Sequence, residues 1–126
     1  MIGDPHLKKY RSGTLFSINN NPTTLDREIF HEFVEGLKTT ELLEEYKIAD
    51  PNKLSLILRG VALYYESYYK KILKTPPIRK EQKVFHEFSR GMTMQNIATK
   101  FGFSLKLIFK MVRETGELYE RFIETN

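Results

Sequence analysis

From residue 24 onward the apolar positions fall at helical spacing, and short polar breaks divide them into six segments. Ile29, Phe30, Phe33 and Leu37 sit at i, i+1, i+4 and i+8, which is one face of a helix. The same reasoning along the chain predicts helices over 24–36, 40–47, 51–74, 78–90, 94–101 and 105–124. Local chemistry agrees with those starts. Thr23 with Asp26 three residues on has the form of a capping box. Asp50-Pro51 offers an N-cap followed by proline at the first helical position. Thr93 and Ser104 are placed to cap the last two helices, while Gly91 and Gly102 break the segments before them. The prolines of "KTPPI" end the long third helix. Residues 1–22 show no helical period; "TLFSI" is a candidate short strand and "NNNP" a turn.

The word "FHEF" occurs at 30–33 and again at 85–88, and its neighbourhood recurs with it. A slide of 55 residues lays Pro22 on Pro77, Ile29 on Val84, His31 on His86, Glu32 on Glu87 and Gly36 on Gly91. Leu42, Leu43 and Tyr46 then fall on Ile97, Ala98 and Phe101. With a four-residue insertion around "ADPN", Leu54, Leu56, Ile57, Leu58 and Val61 fall on Leu105, Leu107, Ile108, Phe109 and Val112. The expected architecture is therefore all-α. It has a non-helical N-terminal arm over 1–22, a first three-helix repeat over 23–75 and a second over 76–126, packed as an internal pseudo-dimer.

Composition narrows the chemistry. With 126 residues, 40% hydrophobic and 29% charged, the chain has the make-up of an ordinary globular protein. It contains no cysteine, which excludes disulfides and thiolate metal sites and favours a reducing compartment. No apolar run approaches a membrane span, and "MIGDPHLKKYRSG" carries charges where a signal peptide needs apolar residues. A cytoplasmic protein without membrane contact is expected. Net charge is +4, but its distribution is uneven. Residues 26–50 hold three basic and eight acidic side chains, whereas 66–113 hold eleven basic and three acidic. Only the second stretch attracts polyanions.

That basic stretch contains "MQNIATKFGFSLKLIFKMVR" (94–113), which resembles the helix-turn-helix of DNA-binding proteins. Ala98 stands where the two helices must approach closely, Gly102 occupies the turn, and Ser104 stands at the cap of the recognition helix. Ile97, Phe101, Phe103, Ile108 and Met111 fill the apolar seam. The resemblance implies a double-stranded DNA partner and a helix from 105 that enters a major groove. On a wheel of about 100° per residue, Lys106, Lys110 and Arg113 form a basic stripe opposite the apolar arc. Those three are the candidate base and phosphate contacts, with Thr93 and Gln95 as backbone contacts from the preceding helix. The first repeat departs from the pattern, with Leu43 in place of the alanine and Lys47 in place of the turn glycine. Its equivalent stripe is Ser55, Arg59 and Ala62, with Asn52 and Lys53 nearby, so it is the weaker reader. Leu105 and Phe109, like Leu54 and Leu58, are apolar where many such proteins face bases. They point either to packing of repeat against repeat or to thymine methyls. A pseudo-twofold would let one chain read two half-sites about 10 bp apart. Small plasmid and phage regulators, and accessory proteins of conjugation, are similar in plan. The implied use is transcription control or marking of an origin or transfer region.

Other features read more plainly. The tyrosines of "YYESYYKK" (64–71) continue the apolar arc, with stacking on single-stranded bases as the alternative. "HLKKYRSG" resembles a minor-groove arm but suits an unstructured terminus better. His31 and His86 each lack a second ligand at helical spacing, so no metal is expected. There is no Gly-rich phosphate loop, nucleophile motif or carboxylate pair, so neither catalysis nor a cofactor is expected. The alternative to DNA binding is a helical protein-interaction module, or a homo-oligomer, joined through the apolar helix faces.

Overall fold

The structure, a computed structural model, describes residues 22–73 and 79–125. Six helices account for nearly all of them: α1 (Thr24–Val34), α2 (Thr39–Glu45), α3 (Pro51–Leu73), α4 (Lys80–Ser89), α5 (Met94–Phe101) and α6 (Leu105–Thr125). Among the described residues the fold is all-α, with no strand. The arm and its candidate strand lie outside the described residues.

The caps form as the sequence indicates. Thr23 Oγ1 accepts from the Asp26 amide at 3.0 Å, and Asp26 Oδ2 accepts from the Thr23 amide at 3.1 Å. Asp50 Oδ1 accepts from the Asn52 amide at 3.0 Å. Helix ends fall short of expectation where the backbone turns left-handed. Gly36 (φ 119) and Gly91 (φ 108) close α1 and α4 with paired reverse bonds, Leu37 N–H to the Glu32 carbonyl and Met92 N–H to the Glu87 carbonyl. That is why α1 stops at Val34 rather than at residue 36. After α2 the same role falls to Lys47, a non-glycine residue at φ 56.

The core forms where α1 and α4 lie across a central pair, α3 and α6. Tyr69 meets Tyr119 and Phe122 at 4.5 and 4.9 Å between ring centroids, which joins the C-terminal parts of the pair. Near their N-terminal parts, Leu54, Ser55 and Leu58 of α3 share a small pocket of about 170 Å³ with Phe109 of α6. The two long helices therefore run side by side in the same direction. Phe30, Phe33, Phe85 and Phe88 fill the space against them, each buried.

The contacts come in matched pairs. Phe30 meets Tyr65 edge-on at 5.4 Å, and Phe85 meets Tyr119 edge-on at 4.9 Å. His31 bonds Glu120, and His86 bonds the fully buried Glu66. Arg113 donates to the carbonyls of Phe33 and Leu37, and Arg59 to those of Phe88 and Met92. Matched residues of α1 and α4 lie 55 apart, those of α3 and α6 lie 54 apart, and the caps Asp50 and Ser104 follow the second spacing. One residue is therefore extra, at Ala49, and not four. The alignment expected over 54–61 and 105–112 was displaced by three positions. That is close to one helical turn, so it left the apolar face nearly unchanged.

Candidate nucleic-acid interface

The α5–α6 corner is built from small and capped residues. Ala98 and Ile97 are buried, as is Ile108 across the seam. Gly102 adopts φ 71, and its amide and that of Phe103 both bond the Ala98 carbonyl, at 2.9 and 3.1 Å. Ser104 Oγ then accepts from the Leu107 amide at 3.2 Å. These bonds fix the direction in which α6 leaves the turn.

Along α6, Lys106 and Lys110 are exposed one turn apart. They open onto a groove of about 830 Å³ with Ser104 and Leu107 on the same wall. The opposite wall is Lys38, Thr39 and Thr40 at the start of α2. Sequence reasoning missed this second wall. No local signal marks it, because it lies in the acidic stretch and reaches α6 only through the tertiary fold.

The third member of the expected stripe behaves differently. Arg113 Nε donates to the Phe33 carbonyl at 2.8 Å and a terminal nitrogen to that of Leu37 at 2.9 Å. Its guanidinium lies 4.6 Å from the Phe33 ring centroid. It borders the groove, but its fork is taken up by the end of α1, where the exposed carbonyls of a helix favour a cation. Arg59 does the same at the end of α4, 2.7 and 2.6 Å from the carbonyls of Phe88 and Met92. Ser55 accepts from Arg59 Nε at 2.8 Å, so it supports this tie instead of facing outward. Burial pushes both arginine pKa values down, although a guanidinium stays charged at neutral pH.

With the corrected spacing, Lys106 corresponds to Asn52 and Lys110 to Leu56, which is 54% exposed. α3 thus lacks the basic pair that α6 carries. Lys53, half-buried, corresponds to Leu107. Thr93 caps α5 by accepting from the Asn96 amide at 3.1 Å, and both Thr93 and Gln95 are exposed at the start of that helix, outside the groove. Elsewhere the two halves carry opposite charge at matched places: Glu28 and Lys83, Glu35 and Arg90, Glu45 and Lys100. Leu54 and Leu58 are buried between the long helices and Phe109 partly so, whereas Leu105 stays 41% exposed.

The expected spacing of two half-sites does not follow from this packing. Helices in contact lie about 8–10 Å apart, whereas successive major grooves on one side of a duplex are about 34 Å apart. α3 and α6 cannot enter two such grooves together.

The histidines engage carboxylates: His31 Nδ1 lies 3.1 Å from Glu120, and His86 Nδ1 2.9 Å from Glu66. Among the described residues no group of three or more His, Cys, Asp or Glu is placed to hold a metal ion. Tyr65 is buried, and Tyr68 and Tyr69 meet the Phe122 ring of α6 edge-on. Among the described residues no helix is long and apolar enough to cross a membrane. Comparison of the chain with protein families, curated proteins and solved structures finds no match.

Proposed function

We propose that the protein is a duplicated helix-turn-helix protein that binds double-stranded DNA and reads its sequence through one of its two halves. The observation that carries this reading is the pair Lys106 and Lys110, exposed a turn apart on a helix whose entry is set by Gly102 and Ser104. That geometry suits a helix whose first turns enter a major groove, where lysine can donate to guanine O6 and N7. The matched contacts support two tandem units, 23–75 and 76–126, packed about a pseudo-twofold. The unit over 76–126 is the reader. In the other unit Asn52 and Leu56 replace the lysines, and glutamates stand where its partner has Lys83, Arg90 and Lys100. The protein acts without catalysis in the cytoplasm, occupying a site to control transcription or to mark an origin or transfer region, as on a mobile element.

Replacing Lys106 and Lys110 together with alanine tests the reading. Both are exposed, so the fold persists, and DNA affinity falls with a loss of preference among sequences. Unchanged affinity in a folded double variant contradicts it. A second reading, docking of a protein partner, is favoured by Leu56 and Leu105, both exposed. It predicts binding that survives the lysine substitutions and is lost in Leu56→Ser.

A further inference from the structure

We infer that the non-reading half still holds DNA, through Lys38, Thr39 and Thr40, which grip one phosphate strand beside the reading helix. The inference rests on the DNA reading above and extends the same site across the boundary between the halves. The groove below Lys106 and Lys110 is not made by the reading unit alone. Arg113 ties α6 to the Leu37 carbonyl, which sets the neighbouring Lys38 and the two threonines against α6 as a second wall.

The chemistry of the two walls matches a sugar–phosphate strand. Lysines stand on both sides, Lys38 on one and Lys106 and Lys110 on the other, with threonine hydroxyls able to donate to phosphate oxygens. Leu107 and Phe109 add apolar surface of the kind a deoxyribose covers. Among the described residues Glu114 of α6 is the single carboxylate lining the groove; Glu41 of α2 accepts from the Lys38 amide at 2.8 Å beside it, and Glu44 and Glu45 do not line it. The matched place on the other half has Thr93, Met94 and Gln95 opposite Asn52 and Leu56, so no lysine stands where Lys38, Lys106 and Lys110 do, and its one lysine there, Lys53, is half-buried at the place of Leu107. The positive groove is one-sided, and it needs both halves.

The test is fluorescence anisotropy on a mixed-sequence duplex across about 50–200 mM salt, with wild type, Lys38→Ala, Lys38→Glu and a control, Lys71→Ala. Lys71 is exposed near the far end of α3, away from the groove. Lys38 is exposed, and circular dichroism checks that each variant is folded. The expected result is a log–log salt slope reduced by about 1 in Lys38→Ala and by more in Lys38→Glu, equally on every sequence tried. The control keeps the wild-type slope. Wild-type binding with an unchanged slope in both Lys38 variants overturns the inference and leaves the DNA reading standing. A wild-type chain that does not bind removes both.

Discussion

Phe33 and Phe88 lie ring against ring, 6.4 Å between centroids and 5° between planes, although 55 positions separate them in the chain. Phe33 lies on α1 and Phe88 on α4, so the stack joins the first three helices to the last three. Each ring also carries the arginine of the opposite half, Arg113 on Phe33 and Arg59 on Phe88. The halves are joined by aromatic area at the centre and by charge-assisted bonds to helix ends around it.

Through that joint the first three helices and the last three are expected to unfold together. Phe33→Ala removes a fully buried ring and is expected to cost about 3–5 kcal/mol. Urea unfolding followed separately by tyrosine fluorescence and by circular dichroism should still give one coincident transition, shifted to lower denaturant. Separate transitions show instead that the halves fold independently.

Arg113→Lys distinguishes a structural tie from a DNA contact. Lysine keeps the charge but cannot reproduce the fork that spans the Phe33 and Leu37 carbonyls. Stability should fall by about 1–3 kcal/mol in both Arg113→Lys and Arg113→Ala. A lysine variant that matches wild type in thermal unfolding contradicts this role.

Gly116 and Ala62 are matched positions, and only the second tolerates a methyl group. A Cβ at Gly116 would come within 3.0 Å of Phe30 Cζ and Val34 Cγ2, both on buried side chains of α1. Overpacking of about 1–3 kcal/mol then exceeds the gain of about 0.5–1 kcal/mol from removing a helical glycine. Gly116→Ala is expected to lower the melting temperature; an increase means that α1 can move aside.

His31 gives the fold a pH dependence of known sign. Its bond to Glu120 raises its pKa above the ordinary 6.5, helped by Glu35 and Glu124. Burial raises the Glu120 carboxyl as well, with His31 offsetting part of that. Both groups hold protons more tightly in the folded state. Their stabilisation is therefore full below their ordinary values and is lost as pH rises through the raised ones. The effect is modest because solvent reaches His31. Urea midpoints should decline from slightly acid to slightly alkaline pH, and the decline should be shallower in His31→Gln.

Helix positions, caps and the turn at Gly102 were legible in the sequence because each depends on a few adjacent residues. The pairing of α3 with α6 was not read correctly, because apolar spacing repeats every turn and tolerates a slip of three. The polar residues would have resolved it: Arg59, Tyr65 and Glu66 recur as Arg113, Tyr119 and Glu120 with one fixed spacing. Lys106 and Lys110 were legible as an exposed pair. Arg113 was misplaced, since a wheel shows the side of a helix but not the carbonyls of α1 waiting there. The wall formed by Lys38 was invisible, because nothing near it in sequence reports its distance from α6.

The central claim is that this protein binds duplex DNA, and salt-dependent anisotropy on a mixed-sequence duplex tests it most directly. The account predicts micromolar-range affinity at low salt that falls steeply as salt rises, as several phosphate contacts require. No binding even at about 50 mM salt would contradict it and would turn attention to protein partners of Leu56 and Leu105.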